Sequence, residues 1–175
     1  MHLNPYGRDP VLLAADLVND PPSSHTELAD RCLEAGLTPD WTVQPADLGT
    51  VRILLGRWTA VVDAEPGAAR ARLLNELLAA GTGPPRLTDH DGHWHLHYRD
   101  DGLDLPGVLH ALIATGTALH LTARGMDRLG RCAAPACDRV FADVSRNGRQ
   151  RYCSPRCGNT DAVRRHRDRR SPVQA

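Results

Sequence analysis

The stretch RCAAPACDRVFADVSRNGRQRYCSPRC, residues 131–157, contains four of the five cysteines in a chain of 175 residues. They form two close pairs, Cys132-x4-Cys137 and Cys153-x3-Cys157, separated by a loop. Each short pair predicts a turn that directs two thiolates toward one point, about 2.3 Å from each sulfur, as a four-thiolate zinc site requires. The spacing therefore predicts one structural Zn²⁺. Four protein ligands leave this ion no open position for catalysis.

Disulfides and free thiols are the alternatives to zinc. We expect a cytoplasmic protein with no membrane partner, because the N-terminus lacks the charged region and apolar run of a secretory signal, and no apolar stretch reaches the roughly 20 residues of a spanning helix. A reducing cytoplasm disfavours disulfides. Around the cysteines the larger apolar side chains are Val140, Phe141, Val144 and Tyr152. This set is too small for a core, so we expect metal binding to drive folding here.

The remaining sequence predicts a mainly α-helical protein, with a helical body and one β-hairpin in residues 1–125 and the zinc finger in residues 126–175. Apolar residues recur every three or four positions in five segments, bounded by proline, glycine and capping residues. The first predicted helix is Pro10–Val18, and the second has a Ser24/Glu27 capping box at its start and a stop at Gly36. The third begins at Pro45 and Asp47, and the fourth runs from Pro66 to a left-handed stop at Gly81. The fifth begins at Asp104. The segment Gly125–Gly130 is expected to serve as a short hinge between body and finger.

Between Arg86 and Arg99 the apolar period changes to two, and Asp91-Gly92 is a favoured turn, which together predict the hairpin. One strand face would hold Trp94, Leu96 and Tyr98, and the opposite, solvent-facing side would hold His93, His95 and His97, with His90 across the turn. Alternating imidazoles can bind a transition metal, but a solvated polar strand face explains the same pattern.

Other candidate residues indicate packing rather than chemistry. Cys32 lies beside Leu28 on an apolar helix face and is expected to be a buried core thiol. Trp41 and Trp58 are expected in the core or at an interface. The sequence has no glycine-rich phosphate loop after a strand, no nucleophile elbow and no histidine-glutamate metalloprotease motif, so we do not expect an enzyme.

The chain has no net charge, but its charges are segregated. Residues 1–123 contain 8 Arg and 16 acidic residues, a net of −8, whereas residues 124–175 contain 13 Arg and 5 acidic residues, a net of +8. This asymmetry suggests a C-terminal region that binds a polyanion. The alternative is a solvated charged face that docks on the acidic body.

The cysteine stretch also resembles a known family. Arg131–Cys137, Ser145–Arg149, Arg151–Ser154 and Cys157-Gly158-Asn159 are similar to the CGNR zinc fingers of bacterial proteins. In that family a mostly helical ABATE domain precedes the finger, and its early Leu-Val-Asn segment resembles Leu17-Val18-Asn19. The resemblance implies a stress-responsive transcription regulator. The Arg of the family's Cys-Gly-Asn-Arg motif is Thr160 in this chain, which puts any nucleic-acid contact of that Arg in doubt.

Arginines are frequent in and beside the second knuckle of the finger and in the residues that follow it. Asn159 is expected to cap a helix that runs to Arg170, with Asp161 in its first turn and Val163 against the finger. Like charges this close repel, which favours an arrangement opposite phosphates. The predicted nucleic-acid contacts are Arg146, Arg149, Arg151, Arg156, Arg164, Arg165, Arg167, Arg169 and Arg170.

Three hypotheses follow from the sequence. The first is a DNA-binding transcription regulator, in which the body is a sensor for a small ligand; a homodimer fits this role, because one small finger buries little surface on duplex DNA. The second is an RNA- or protein-binding zinc knuckle without sequence-specific DNA recognition. The third is a metal-dependent binder or enzyme that uses the histidine hairpin.

Overall fold

The computed structural model describes residues 7–37, 42–89, 92 and 94–170, excluding the side chain of Arg170. The elements in chain order are α1 (Arg8–Asn19), α2 (His25–Glu34), α3 (Pro45–Asp63), α4 (Ala68–Gly81), β1 (Arg86–Thr88), β2 (His95–His97), α5 (Leu105–Arg124), β3 (Leu129–Arg131), β4 (Val140–Ala142) and α6 (Pro155–Arg170). The predicted mainly α fold, with a helical body, one body hairpin and a C-terminal cysteine cluster, is confirmed.

Helix α5 lies at the centre of the body, where α1, α3 and α4 pack against it. By length and composition alone α5 is apolar enough to cross a membrane, but most of it is buried by the other helices, as expected of a core helix. Trp58 of α3 is fully buried, and its indole nitrogen donates to the Thr117 hydroxyl of α5 at 2.9 Å. Cys32 is also fully buried, and burial raises the pKa of its thiol to about 11. Both residues are therefore core residues, as the sequence predicts.

Side chains that cap the helices explain where they begin. Ser24 accepts a hydrogen bond from the Glu27 amide at 3.1 Å, and Asp104 caps α5 in the same way through the Gly107 amide at 2.9 Å. The reciprocal half of the predicted Ser24 capping box is wrong, because the Glu27 carboxylate accepts from Ser23 instead. Gly36, with φ of 79°, follows the end of α2 in the left-handed conformation.

The predicted left-handed stop at Gly81 is wrong, because Gly81 is the last residue of α4 and has no positive φ. A Cβ atom at this position would lie 2.1 Å from the imidazole of His110 on α5. That imidazole donates to the Leu77 carbonyl at 3.0 Å. Glycine is therefore required by the close approach of His110 to α4.

The body hairpin pairs Leu87 with Leu96 in an antiparallel register. Its faces are the reverse of the prediction, since Trp94 and Leu96 are exposed while His97 is buried. The Nε2 atoms of His95 and His97 lie 3.1 Å apart. The alternation predicted two faces, but nothing in the pattern states which one packs inward. His90, Asp91 and His93, like Trp41 elsewhere, lie outside the described residues.

The finger shares its apolar core with the body. Leu129 of β3 and Val140 and Ala142 of β4 belong to the same buried cluster as the body helices. The side-chain amide of Asn19, the last residue of α1, donates to the Val140 carbonyl at 2.9 Å and accepts from the Val140 amide at 2.8 Å. Asn19 thus pairs with β4 as a neighbouring strand would.

Charged groups make further contacts across this junction. The buried guanidinium of Arg70 donates to the carbonyls of Val61, Val62 and Ala64 near the end of α3, and to those of Met126 and Leu129 before and in β3. Two exposed ion pairs add to this, Arg131 with Asp63 at 2.7 Å and Arg139 with Asp20 at 2.6 Å. These contacts hold Gly125–Gly130 in place, so the predicted hinge there is wrong.

Candidate zinc centre and arginine surface

The thiol sulfurs of Cys132, Cys137, Cys153 and Cys157 all lie within 4.8 Å of one another. Two of the sulfur–sulfur distances, Cys137 to Cys153 and Cys153 to Cys157, are 3.7 Å. Four sulfurs placed tetrahedrally about 2.3 Å from a zinc ion would be about 3.8 Å apart, so the cluster has the size that zinc requires. A disulfide needs sulfurs about 2.05 Å apart, which excludes covalent pairing in this arrangement.

Backbone hydrogen bonds place each cysteine pair. Cys132 directly follows β3, and its amide donates to the Arg139 carbonyl at 2.9 Å, which closes the first turn. The Cys153 amide donates to the Cys132 sulfur at 3.4 Å and so joins the two pairs. Ser154 caps α6 by accepting from the Cys157 amide at 3.3 Å. Cys157 therefore lies in the first turn of α6.

The short distances between the four sulfurs favour a cation at the centre of the cluster. Burial, followed by the neighbouring sulfurs of Cys137, Cys157 and Cys132, raises the pKa of the Cys153 thiol to about 12. Four thiolates this close repel one another unless a positive ion lies between them. Zn²⁺ supplies that charge and accepts four sulfur ligands, so the residues present fit the ion.

Comparison with known families agrees with this geometry. Residues 128–170 match the CGNR zinc finger. The match covers β3, β4, α6 and the four cysteines, so the finger binds a single structural zinc ion, as the sequence predicts. No curated protein matches the sequence of the chain.

The glycine of the Cys157-Gly158-Asn159 motif lies beneath an aromatic ring. A Cβ atom at Gly158 would be 3.3 Å from the Tyr152 ring, closer than nine in ten real Cβ contacts. Tyr152 donates its hydroxyl hydrogen to the buried carboxylate of Asp161 at 2.8 Å. The ring and the carboxylate together fix α6 against the second cysteine pair of the finger.

Three predictions about α6 are wrong. The helix begins at Pro155, so Asn159 lies inside it and does not cap it. Asp161 is consequently in the second turn, and Val163 is half exposed instead of packed on the finger. Ser154 followed by Pro155 was the signal for the true start, since serine is a preferred N-cap and proline a preferred first helical residue.

Asp161 also forms ion pairs with two of the predicted nucleic-acid contacts. Its carboxylate pairs with Arg164 at 2.8 Å and with Arg165 at 3.0 Å, and Arg164 pairs in addition with Asp168 at 3.0 Å. The hydrogen bonds from Tyr152 and then from Arg164 lower the pKa of Asp161, which keeps it ionised. The repulsion expected along this helix is therefore partly offset within it.

A second buried carboxylate organises the loop between β4 and Cys153. Asp143 accepts hydrogen bonds from the Ser145 amide at 2.9 Å and from the Gln150 amide at 3.1 Å, and it pairs with Arg128 at 3.4 Å. Burial raises the pKa of Asp143, but the hydrogen bonds from Ser145 and Gln150 outweigh it, so the net pKa is lowered. Both ends of the loop are thus held to one ionised group.

The predicted arginines divide into two groups. Arg164 and Arg165 form ion pairs within α6, and Arg169 donates to the Arg165 carbonyl at 3.3 Å. The second group is exposed, and its guanidinium groups make no hydrogen bond or ion pair with any part of the chain that the structure describes: Arg146, Arg149, Arg151, Arg156 and Arg167. The position of Arg170 is described, but its side chain lies outside the described atoms.

Proposed function

We propose that the protein is a DNA-binding transcription regulator whose zinc finger contacts duplex DNA. The observation that supports this proposal is the group of exposed arginines without an acidic partner among the described residues, which we call the open arginines: Arg146, Arg149, Arg151, Arg156 and Arg167. Arg156 lies within the second cysteine pair, which the zinc ion would hold rigid, and Arg146, Arg149 and Arg151 lie in the loop between β4 and Cys153. Arg167 lies on α6, which begins within that pair.

Contacts elsewhere in the chain argue against docking of the open arginines on the acidic body. Among the described residues, the finger arginines that pair with acidic groups of the body are Arg131 and Arg139, and these pairs lie at the junction with α1 and α3. The open arginines are left for an external polyanion. Guanidinium groups bind phosphate oxygens in a bidentate manner and also read guanine in the major groove.

Duplex DNA is favoured over single strands because Tyr152 and Phe141, the tyrosine and the phenylalanine of the finger, are not free to stack on bases. Base stacking on single-stranded ligands needs exposed rings. In the finger, the Tyr152 ring lies over Gly158 with its hydroxyl on Asp161, and Phe141 is half buried beside Gly130. Binding to RNA or to an acidic protein remains the alternative that the experiment below tests.

We also propose that zinc has a structural role and the protein is not an enzyme, since four cysteine ligands leave no site for water or substrate. The cytoplasmic location, the likeness of the body to the ABATE domain and the homodimer belong to the same proposal. A dimer would double the small surface that one finger can bury on DNA.

The test is filter binding of the zinc-loaded protein to random duplex DNA over a salt series. If about five phosphates are contacted, log affinity falls with log salt at a slope near −4.5. Arg149→Gln, which removes one open arginine, should reduce this slope by about 0.9. Arg72→Gln is the matched control, because Arg72 is exposed, is paired with Glu76 and lies on α4 of the body.

A slope near zero, or equal slopes for Arg149→Gln and wild type, would contradict the proposal. Tighter binding to duplex RNA or to an acidic polypeptide than to DNA would favour the alternative. Selection of bound genomic fragments then tests regulation, because a reproducible sequence motif is expected of a regulator and featureless enrichment is not.

A further inference from the structure

The body hairpin carries two histidines whose side chains converge. His95 and His97 lie on the same face of β2, because residues two apart in a strand point the same way. Their ring centres are 4.9 Å apart, but their Nε2 atoms are only 3.1 Å apart, so these two nitrogens point toward each other. A neutral imidazole can present a lone pair on Nε2, and the two rings can therefore share either one proton or one metal ion.

The hairpin buries this polar face in place of its apolar one. His97 is 9% exposed, whereas Trp94 and Leu96 of the same segment are 73% and 46% exposed. The opposite orientation would remove more apolar surface from water, so the observed one costs free energy. A ligand that binds the two imidazoles on the inner face would offset this cost.

The distance between the two nitrogens suits a divalent transition metal ion. An ion about 2.0–2.1 Å from each imidazole nitrogen holds the two nitrogens about 2.8–3.4 Å apart, from the right angle of a square-planar or octahedral complex to the wider angle of a tetrahedral one. The observed 3.1 Å lies within this range. Imidazole is a ligand for nickel, copper and zinc, whereas magnesium and calcium prefer oxygen ligands.

A carboxylate lies at the other nitrogen of the buried ring. The Oδ1 atom of Asp101 is 3.9 Å from Nδ1 of His97, and the exposed Asp101 side chain could close this distance with a small shift. Metal-bound histidines commonly have a carboxylate at the second ring nitrogen, which orients the ring and raises its basicity. The same carboxylate pairs at 2.5 Å with Arg86, which lies opposite His97 on β1, so the nearby positive charge is offset.

We propose that His95 and His97 bind a divalent transition metal ion through their Nε2 atoms, at a site separate from the zinc centre. Among the described residues no third histidine, cysteine or carboxylate joins the pair, so water molecules would complete the coordination. Two protein ligands hold an ion less tightly than four, and we expect dialysis to remove this ion while zinc stays in the finger. The proposal does not depend on DNA binding, so either can fail without the other.

The test uses Ni²⁺ as the probe, because it accepts imidazole ligands and its unpaired electrons broaden nearby NMR signals. Calorimetric titration of the dialysed, full-length, zinc-loaded protein without a histidine tag should give one Ni²⁺ per chain. The NMR signals of residues 95–97 should broaden first, and Mg²⁺ should produce neither effect. The zinc content should stay at one per chain, and no nickel–thiolate absorption should appear, since zinc continues to occupy the cysteines.

Substitutions of single residues assign the ion to the hairpin. Loss of a group that only orients a metal ligand weakens binding about 10–100-fold, so His95→Gln and His97→Gln should each weaken Ni²⁺ binding at least about tenfold. His166→Gln is the matched control, because His166 is an exposed histidine of α6, and it should bind Ni²⁺ as wild type does. Thr88 lies directly opposite His95 on β1, so Thr88→His adds a third imidazole to the same face and should tighten binding at least about tenfold.

Circular dichroism and zinc content check that each variant is folded. His95 is only half buried, so His95→Gln decides the question even if loss of the buried His97 disturbs the hairpin. No Ni²⁺ binding at millimolar concentration, broadening that maps to other residues, nickel–thiolate absorption in place of broadening, wild-type affinity of His95→Gln, or no gain in Thr88→His would overturn the proposal. The two imidazoles would then share only a proton.

Discussion

Replacing Asn19 by alanine tests whether the contact between α1 and β4 couples the stability of the finger to that of the body. The substitution removes both hydrogen bonds between the Asn19 amide and Val140, whose lengths are 2.9 and 2.8 Å. Val140 is 1% exposed, so its freed N–H and C=O groups have little access to water. An ordinary hydrogen bond contributes about 1 kcal/mol, and an unsatisfied buried group costs about 1–3 kcal/mol. We therefore expect the free energy of unfolding to fall by about 2–4 kcal/mol.

Urea denaturation at fixed excess zinc, monitored by circular dichroism, measures this change, because ligand concentration contributes to apparent stability. Asn75→Ala is the matched control, since Asn75 is an exposed residue of α4 and its loss should change stability by no more than about 0.5 kcal/mol. If Asn19→Ala lost no more stability than Asn75→Ala, the finger would not be coupled to the body through this contact.

Three further substitutions probe other features of the fold. Gly81→Ala should destabilise the protein by about 1–3 kcal/mol in thermal unfolding, although alanine is the better helix former, because its Cβ would meet His110; a stabilised variant would refute this. Arg70→Lys should lower the free energy of unfolding in urea by about 2–4 kcal/mol, because an ammonium group cannot donate hydrogen bonds to five carbonyls. Unchanged stability would show that these guanidinium hydrogen bonds are dispensable. Burial lowers the pKa of His120 from 6.5, so the unfolded chain binds an extra proton and stability falls as the pH drops below 6.5. His120→Gln should therefore lose less unfolding free energy than wild type between about pH 7.5 and pH 5.5, and an equal loss would assign the pH dependence to other groups.

The features that could be predicted from the sequence depend on local spacing. The cysteine pairs predicted the zinc centre, because each pair closes its own turn and the ligand geometry of zinc is fixed. The apolar period of three to four predicted five body helices, and Ser24 and Asp104 marked two of their starts. In each case the deciding residues lie within a few positions of one another.

The features that the sequence did not reveal depend on contacts between distant residues. Asn19 and Val140 are 121 positions apart, and Arg70 contacts Leu129 from 59 positions away. No periodicity records such a pairing, so the hinge prediction failed. The arginine count likewise could not show that Asp161 forms ion pairs with both Arg164 and Arg165, because this depends on Asp161 lying inside α6 and not at its start.

The orientation of the hairpin also could not be predicted from the alternation of its residues. Alternation assigned Leu96 and His97 correctly to opposite faces, but the structure buries the histidine and exposes the leucine. A two-stranded sheet has no intrinsic inner face, so its orientation is set by the surface it meets. The start of α6 was missed for a different reason. Ser154-Pro155 is a local signal for a helix start, but the prediction took Asn159, in the Cys157-Gly158-Asn159 motif, as the cap.

Zinc content and sulfur coordination of the purified protein test the account most directly. Elemental analysis with zinc-edge X-ray absorption should give one zinc per chain with four sulfur neighbours at about 2.3 Å. Cys32→Ser should leave both results unchanged, because Cys32 is buried in the body core. Cys153→Ser should lose the zinc and the order of α6 while the body keeps its helical circular dichroism. Nitrogen or oxygen ligands, oxidised cysteine pairs, or a Cys153→Ser protein that keeps its zinc with full affinity would contradict the account.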